Sequence, residues 1–296
     1  MLSHIGFADE ETAPHSSFPA IRACIFDLDG LLINTEDIIT NAINQLLAKY
    51  ERPPLTRPVR AQLMGLANSS NGDAFHGWAQ LPLSREQWAR ESKQEFHRQF
   101  PHCAPLPGAQ ALVSKLGSSR SGDGDGDGQR IRLALASGTT AQNYALKTSA
   151  SSETQKLLSS FPPENRVLGD DPRLPSKGSG RGKPAPDIYQ VALQTLNATA
   201  GAAGERPILP SECLVFEDSV VGVEAGRRAG MRVVWVPHSD MATEYRGREQ
   251  VVLAGRSGMV EIGDEEQLGE VDDGWAEMIP SLEHFDYAKY GIGVVS

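Results

Sequence analysis

Short apolar runs recur at residues 21–26, 131–136, 213–216 and 231–236, and each reads as a buried parallel strand. Patterns of helical period lie between them. Residues 109–116 form one, residues 187–196 form another opened by Pro186, and residues 220–229 form a third that stops before Gly230. Strand and helix alternating in this order predict an α/β fold, a doubly wound parallel sheet flanked by helices.

Residues 35–102 break the alternation. The stretch is poor in strand signals and rich in helix formers, most clearly at 38–49 and 85–100, which predicts an all-helical subdomain inserted into the core. Because it leaves directly after the first strand, it is expected over the carboxyl ends of the strands, where open α/β sheets bind ligands. The expected organisation is a tail at 1–20, an α/β core made of 21–34 and 103–296, and a helical cap at 35–102. Residues 117–129 are mostly Gly, Ser and Asp, too polar to offset the entropy of ordering, so a flexible loop is expected at the sheet end opposite the ligand site. Asp123, Asp125, Asp127 and Gly128 imitate the opening of a calcium loop. The position needing a bidentate glutamate is Ala134, inside an apolar run, so no calcium site is assigned.

With 296 residues and 40% hydrophobic content, the chain can bury a sizeable core. Its net charge of -10 argues against nucleic acid or an anionic membrane as partner and points to a small molecule. Cys24, Cys103 and Cys213 cannot all pair within one chain, and read as core residues of a reducing compartment. The first twenty residues hold Asp9, Glu10, Glu11 and Pro14 but no long apolar run, so a cytoplasmic protein is expected.

Candidate chemistry gathers at the ends of the predicted strands. Asp27 and Asp29 follow the first run and precede Gly30, which suggests a loop where two carboxylates converge on one cation; a solvated strand end is the plainer alternative. Ser137 and Gly138 end the second run ahead of Thr139 and Thr140, either of which can open a helix. Lys183 follows a glycine-rich stretch and is flanked by Pro184 and Pro186, a setting that favours a phosphate contact over a freely solvated side chain. Glu217 and Asp218 end the third run, either capping the next helix or, beside Asp27 and Asp29, completing an oxygen-rich magnesium site.

In this order, Asp27-Leu28-Asp29-Gly30-Leu31-Leu32, Leu135-Ala136-Ser137-Gly138-Thr139, Gly182-Lys183-Pro184-Ala185-Pro186-Asp187 and Val215-Phe216-Glu217-Asp218-Ser219 resemble the four motifs of the haloacid-dehalogenase-like superfamily. The resemblance spans residues 21–236. Within the superfamily, Gly169-Asp170-Asp171-Pro172-Arg173 and Trp235-Val236-Pro237-His238 look most like the pseudouridine-5'-phosphatase branch and its fungal relatives. Asn34 departs from the Asp or Ser usual before the Thr35-Glu36 pair.

The resemblance implies a Rossmann-like core under a cap, and a magnesium-dependent phosphomonoesterase that acts on a small phosphorylated metabolite, pseudouridine 5'-phosphate among the candidates. It implies Asp27 as the nucleophile that forms an aspartyl-phosphate and Asp29 as the proton shuttle. Ser137, Gly138 and Lys183 would hold the phosphoryl oxygens. Mg2+ would bind the Asp27 carboxylate, the Asp29 carbonyl and Asp218, with Glu217 in the outer coordination sphere. A monomer without nucleic-acid or membrane partners is expected. A sugar phosphomutase shares the four motifs, but such mutases carry a histidine near the exit that here reads Asn34-Thr35-Glu36-Asp37-Ile38, which favours hydrolysis. A dehalogenase would have little use for Asp29 and the Glu217-Asp218 pair, and a non-catalytic binding protein would have lost such side chains. Sugar phosphates, glycerol phosphate and 2-deoxyglucose 6-phosphate stay open as substrates. The choice rests on which of Arg60, Gln62, His76, Trp78 and Arg90 faces the cleft.

Overall fold

The computed structural model describes residues 18–65, 72–122, 128–175, 182–258 and 268–294. Residues 1–17 of the expected tail, Asp123, Asp125 and Asp127, and residues 176–181 before Lys183 lie outside the described residues. Strand β1 (Ala23–Phe26) leads into α1 (Thr35–Lys49), α2 (Arg57–Leu63), α3 (Asp73–Ala79) and α4 (Arg85–Gln99). Then follow α5 (Ala109–Ser118), β2 (Arg120–Ser121), β3 (Arg132–Ser137), α6 (Ala141–Lys147), α7 (Ser152–Leu158) and β4 (Arg166–Leu168). The remainder comprises α8 (Asp187–Ala202), β5 (Cys213–Glu217), α9 (Val220–Arg228), β6 (Arg232–Trp235), α10 (Ser239–Glu244), α11 (Glu249–Leu253), β7 (Ala276–Met278) and β8 (Ile292–Gly293).

Six strands form a parallel sheet in the order β4-β3-β1-β5-β6-β7. The chain builds outward from β1 through β3 to β4, then returns to place β5 on the other side of β1. That reversal leaves a crevice at the carboxyl ends of β1 and its neighbours. Successive strand residues face opposite layers: Cys24 and Phe26 pack with α5, α7 and the C-terminal Leu282, Phe285 and Tyr290, while Ala23 and Ile25 pack with α8 and α9. The edge strands β4 and β7 were not expected, being three residues each with little apolar signal.

Phe18, in the stretch expected as a tail, packs against the Trp275 ring at 5.3 Å, and Ile21, where the core is expected to begin, donates its amide to the Tyr290 carbonyl at 3.0 Å. The expected loop at 117–129 begins inside α5, and β2 pairs antiparallel with β8. A partner so distant along the chain leaves no local trace in the sequence.

Among the described residues between Thr35 and His102 every element is helical, with a small core of Ile43, Leu46, Leu47, Phe75, Ala79 and Trp88. Asn34 ties the two crossings together: its Oδ1 accepts from the Ala104 amide at 2.8 Å, and its own amide donates to the Ala104 carbonyl at 3.1 Å. The segment touches the turn that follows β5 and helix α10 beyond β6. Arg60 donates to Asp240 at 2.7 Å and to Asp37 at 2.6 Å, and a Cβ on Gly65 would lie 2.4 Å from that of Ser219. Among the described residues no helix is long and apolar enough to cross a membrane.

Candidate active site

Backbone register brings the acids together. Phe26 pairs with Phe216 across β1 and β5, their rings stack at 4.6 Å, and the Asp27 amide donates to the Phe216 carbonyl at 3.1 Å. Asp27 therefore emerges beside Glu217 and Asp218, while Ser137 ends the adjacent β3. Apolar residues below each acid drive the strands inward, and the acids stop where the sheet meets the crevice.

Lys183 joins the two strand ends. Its Nζ donates to Asp27 Oδ1 at 2.5 Å and to Glu217 Oε1. Glu217 is fully buried, and accepts also from the Tyr189 hydroxyl at 2.5 Å and from the Ser219 amide and Oγ at 3.1 Å. Gly222 makes room for that carboxylate, since a Cβ there would lie 2.0 Å from it. Burial pushes the Asp27 carboxyl up to about 7, against the pull of Lys183 and with Glu217 and Asp29 adding to the rise. Burial and then the charges of Glu217, Asp27 and Glu36 push Asp218 well above the usual carboxylate range. Burial works against the Lys183 ammonium, but Asp27 and Glu217 outweigh it and hold the proton firmly.

Asp29 lies on the other side of Asp27, whose Oδ2 accepts from the Asp29 amide at 2.8 Å. The Asp29 side chain receives Thr35 Oγ1 at 2.7 Å, Lys147 Nζ at 2.6 Å and Ser137 Oγ at 3.2 Å. Space beside Gly138 is open, with nothing within 4 Å of where a Cβ would stand.

The structure thus gathers Asp27, Asp29, Ser137, Lys183, Glu217 and Asp218. Sequence reasoning missed Lys147, Tyr189 and Glu36. Glu36 approaches Gly30, where its Cγ would lie 2.9 Å from an added Cβ, and burial followed by the Asp29 charge raises its carboxyl to about 7. A lysine closing a helix ordinarily serves the helix dipole in water, so nothing flagged Lys147. Of the five side chains considered for substrate choice, Arg60 lies at the junction with the strand ends, Gln62 and Arg90 are exposed, and His76 and Trp78 are half-buried within the helical segment. The open cleft lined by Arg120, Arg130, Asn165 and Glu205 lies at the amino end of β3, away from Asp27.

Among the described residues no group of three or more His, Cys, Asp or Glu side chains is arranged to hold a metal ion. The donor chemistry nevertheless suits a hard cation. Asp27 and Asp218 crowd their charges together, the Asp218 Oδ2 lies against Gly30, the residue that follows Asp29, and Lys183 is the ammonium facing Asp27 and Glu217. Magnesium takes few protein oxygens and completes its shell with water and phosphate, so two carboxylates and a carbonyl fit it.

The sequence family described as haloacid dehalogenase-like hydrolase matches residues 21–230. A probable pseudouridine-5'-phosphatase of Saccharomyces cerevisiae is 33% identical over 273 residues, 92% of this chain and 98% of that protein. Another probable pseudouridine-5'-phosphatase, from Drosophila melanogaster, is 33% identical over 79% of this chain and 89% of its own length. The crystal structure of an HAD hydrolase of family IA, variant 3, from Entamoeba histolytica HM-1:IMSS shares the fold, with a TM-score of 0.59 and 18% identity over 92% of this chain and 98% of that one. With its four motifs drawn to one end of a parallel sheet, the chain belongs to the haloacid dehalogenase-like hydrolases and is a phosphatase of that family.

Proposed function

We propose that the chain is a magnesium-dependent phosphomonoesterase working through an aspartyl-phosphate on Asp27, with pseudouridine 5'-phosphate as its first candidate substrate. The observation carrying this reading is Lys183 bound between Asp27 and Glu217, with Ser137 and Asp29 alongside. Phosphoryl transfer mainly requires positioning and neutralisation of charge on the equatorial oxygens. Lys183, Ser137 Oγ and the Gly138 amide are the donors for those oxygens. An Asp27 oxygen forms the bond to phosphorus as the ester bond breaks. Asp29 gives a proton to the departing oxygen, then takes one from the water that hydrolyses the aspartyl-phosphate. Asp27, Asp218 and the Asp29 carbonyl would hold magnesium, with Glu217 outside them, and the bound ion would supply positive charge to offset the phosphate and the acids.

Residues 35–102 act as the cap. Contacts of Arg60 with α10 and of Gly65 with the turn beyond β5 support that role, and Glu36 stands where the cap meets the acids. The names of the yeast and fly relatives support pseudouridine 5'-phosphate. Three buried free cysteines fit a cytoplasmic setting, and the net charge of -10 fits a monomer that avoids nucleic acid.

Phosphate release from pseudouridine 5'-phosphate, uridine 5'-phosphate, glycerol phosphate and 2-deoxyglucose 6-phosphate, with and without Mg2+, tests the reading. Background hydrolysis of the first compound removes it as substrate. Equal rates without magnesium remove the metal.

A further inference from the structure

Asp29 is anchored at one oxygen and open at the other. Its Oδ1 accepts from Lys147 Nζ at 2.6 Å and Thr35 Oγ1 at 2.7 Å, whereas Oδ2 has the longer 3.2 Å contact from Ser137 Oγ. Lys147 is itself fixed from several sides. Its Nζ also donates to Thr139 Oγ1 at 3.0 Å and lies 4.7 Å from the centre of the Phe100 ring, with the side chain 4% exposed. A lysine so placed gives up solvation and rotamer freedom, and that cost is offset only where charge and geometry match well. The bracing has a direction. Thr35 opens α1 and Phe100 follows α4, so Asp29 is held from both chain crossings into the helical segment.

We propose that Lys147 is a positioning residue for proton transfer: it anchors Oδ1 of Asp29 so that Oδ2 faces the ester oxygen leaving phosphorus. The inference rests on Asp29 being the proton shuttle of the proposed phosphatase. In that step the Asp27 oxygen–phosphorus bond forms, the phosphorus–ester oxygen bond breaks, and the proton on Asp29 Oδ2 passes to the ester oxygen. Water then attacks phosphorus and gives its proton to Oδ2, which frees phosphate and restores Asp27. Misdirecting Oδ2 slows proton transfer without loosening the grip on phosphate.

Two substrates of similar shape separate this role from a structural one. Benzyl phosphate releases an alkoxide that needs a proton, whereas 4-nitrophenyl phosphate releases a stable phenolate that does not. The measurement is kcat and KM on both, with Mg2+, for the native protein and for Lys147→Met, Lys147→Arg and Asp29→Asn. Lys147→Met and Asp29→Asn are each expected to lose about 100-fold in kcat on benzyl phosphate, with a loss about ten-fold smaller on 4-nitrophenyl phosphate and KM within about three-fold. Lys147→Arg should recover much of the benzyl phosphate rate. Equal losses on the two substrates, or none, in Lys147→Met overturn the inference while leaving the phosphatase reading intact. Equal losses in Asp29→Asn overturn the proton-shuttle assignment and the inference with it. Should Lys147→Met fail to fold, Thr139→Val, which removes one oxygen holding Nζ, takes its place: selective loss on benzyl phosphate supports the role, and equal loss or none overturns it.

Discussion

Gly30 lies so close to the Asp218 carboxylate that a Cβ on it would stand 2.2 Å from Oδ2, and its φ of +81° falls in the left-handed region. Two strand ends approach one another through this glycine, which has neither a side chain in the way nor a steric penalty for the turn. Gly30→Ala is expected to cost about 1–2 kcal/mol from its backbone conformation alone. It should also displace Asp218 and lower phosphatase activity by at least about ten-fold. Thermal unfolding and phosphate release check both effects, and a variant as stable and active as the native protein removes the need for the close approach.

Asp27→Asn should abolish turnover, by about 1000-fold or more, while the protein stays folded. The carboxylate is held by Lys183 Nζ and the Asp29 amide rather than packed in the apolar core, and it is already crowded by Glu217 and Asp29. Far-ultraviolet dichroism together with phosphate release decides this. Retained activity in the folded variant discards Asp27 as nucleophile.

Glu217→Gln should destabilise the protein by about 3 kcal/mol, as expected on breaking a buried ion pair from one side. Glu217 is fully buried and holds Lys183, Tyr189 and Ser219 together, so the change also frees Lys183 to drift from Asp27. Urea unfolding measures the first effect and kcat the second. No change in either would mean that Lys183 is positioned by Asp27 alone.

Magnesium should stabilise the folded chain. Burial and mutual repulsion disfavour the charges of Asp27 and Asp218, and a cation bound only to the folded state adds about 2.7 kcal/mol at a hundred times its Kd. The melting temperature should therefore rise with Mg2+, fall back with EDTA and respond less in Asp218→Asn. An Asp218→Asn response equal to that of the native protein places the ion elsewhere.

Glu91 predicts an acid-sensitive contact inside the helical segment. Hydrogen bonds from Lys49, then Gln87 and Tyr50, lower its carboxyl from the ordinary 4.5 to about 2. A folded-state value below the unfolded one means that the contribution is complete above about pH 4.5 and disappears as pH falls toward 2. For a pair this near the surface it is worth about 0.2–1 kcal/mol. Melting temperatures of the native protein and Glu91→Gln should converge toward pH 2 and separate above pH 4.5; a constant gap across the range counts against this origin.

Asp27, Ser137, Glu217 and Asp218 were legible in the sequence because each ends an apolar run, and a run that stops at a polar or acidic residue is a local pattern. Lys183 was legible from its glycine and proline surroundings. Lys147, Tyr189 and Glu36 sit in helices, in positions that ordinary solvent exposure or core packing would explain equally well. Their part depends on what they meet: Lys147 on Asp29, Tyr189 on Glu217, and Glu36 on the approach to Gly30. Strand β4 and the pairing of β2 with β8 were hidden for a similar reason, since two or three residues carry little pattern and their partners lie far along the chain.

By itself the sequence determined which chemical groups stand at the strand ends, because burial of apolar runs and the order of strands and helices follow from local composition. Only the tertiary structure decided which of those groups share a proton, a charge or a turn. Hydrogen bonds and ion pairs act over a few ångströms, and the distances between residues 27, 147, 183 and 217 are set by the register of the sheet and the packing of its helices rather than by their spacing along the chain.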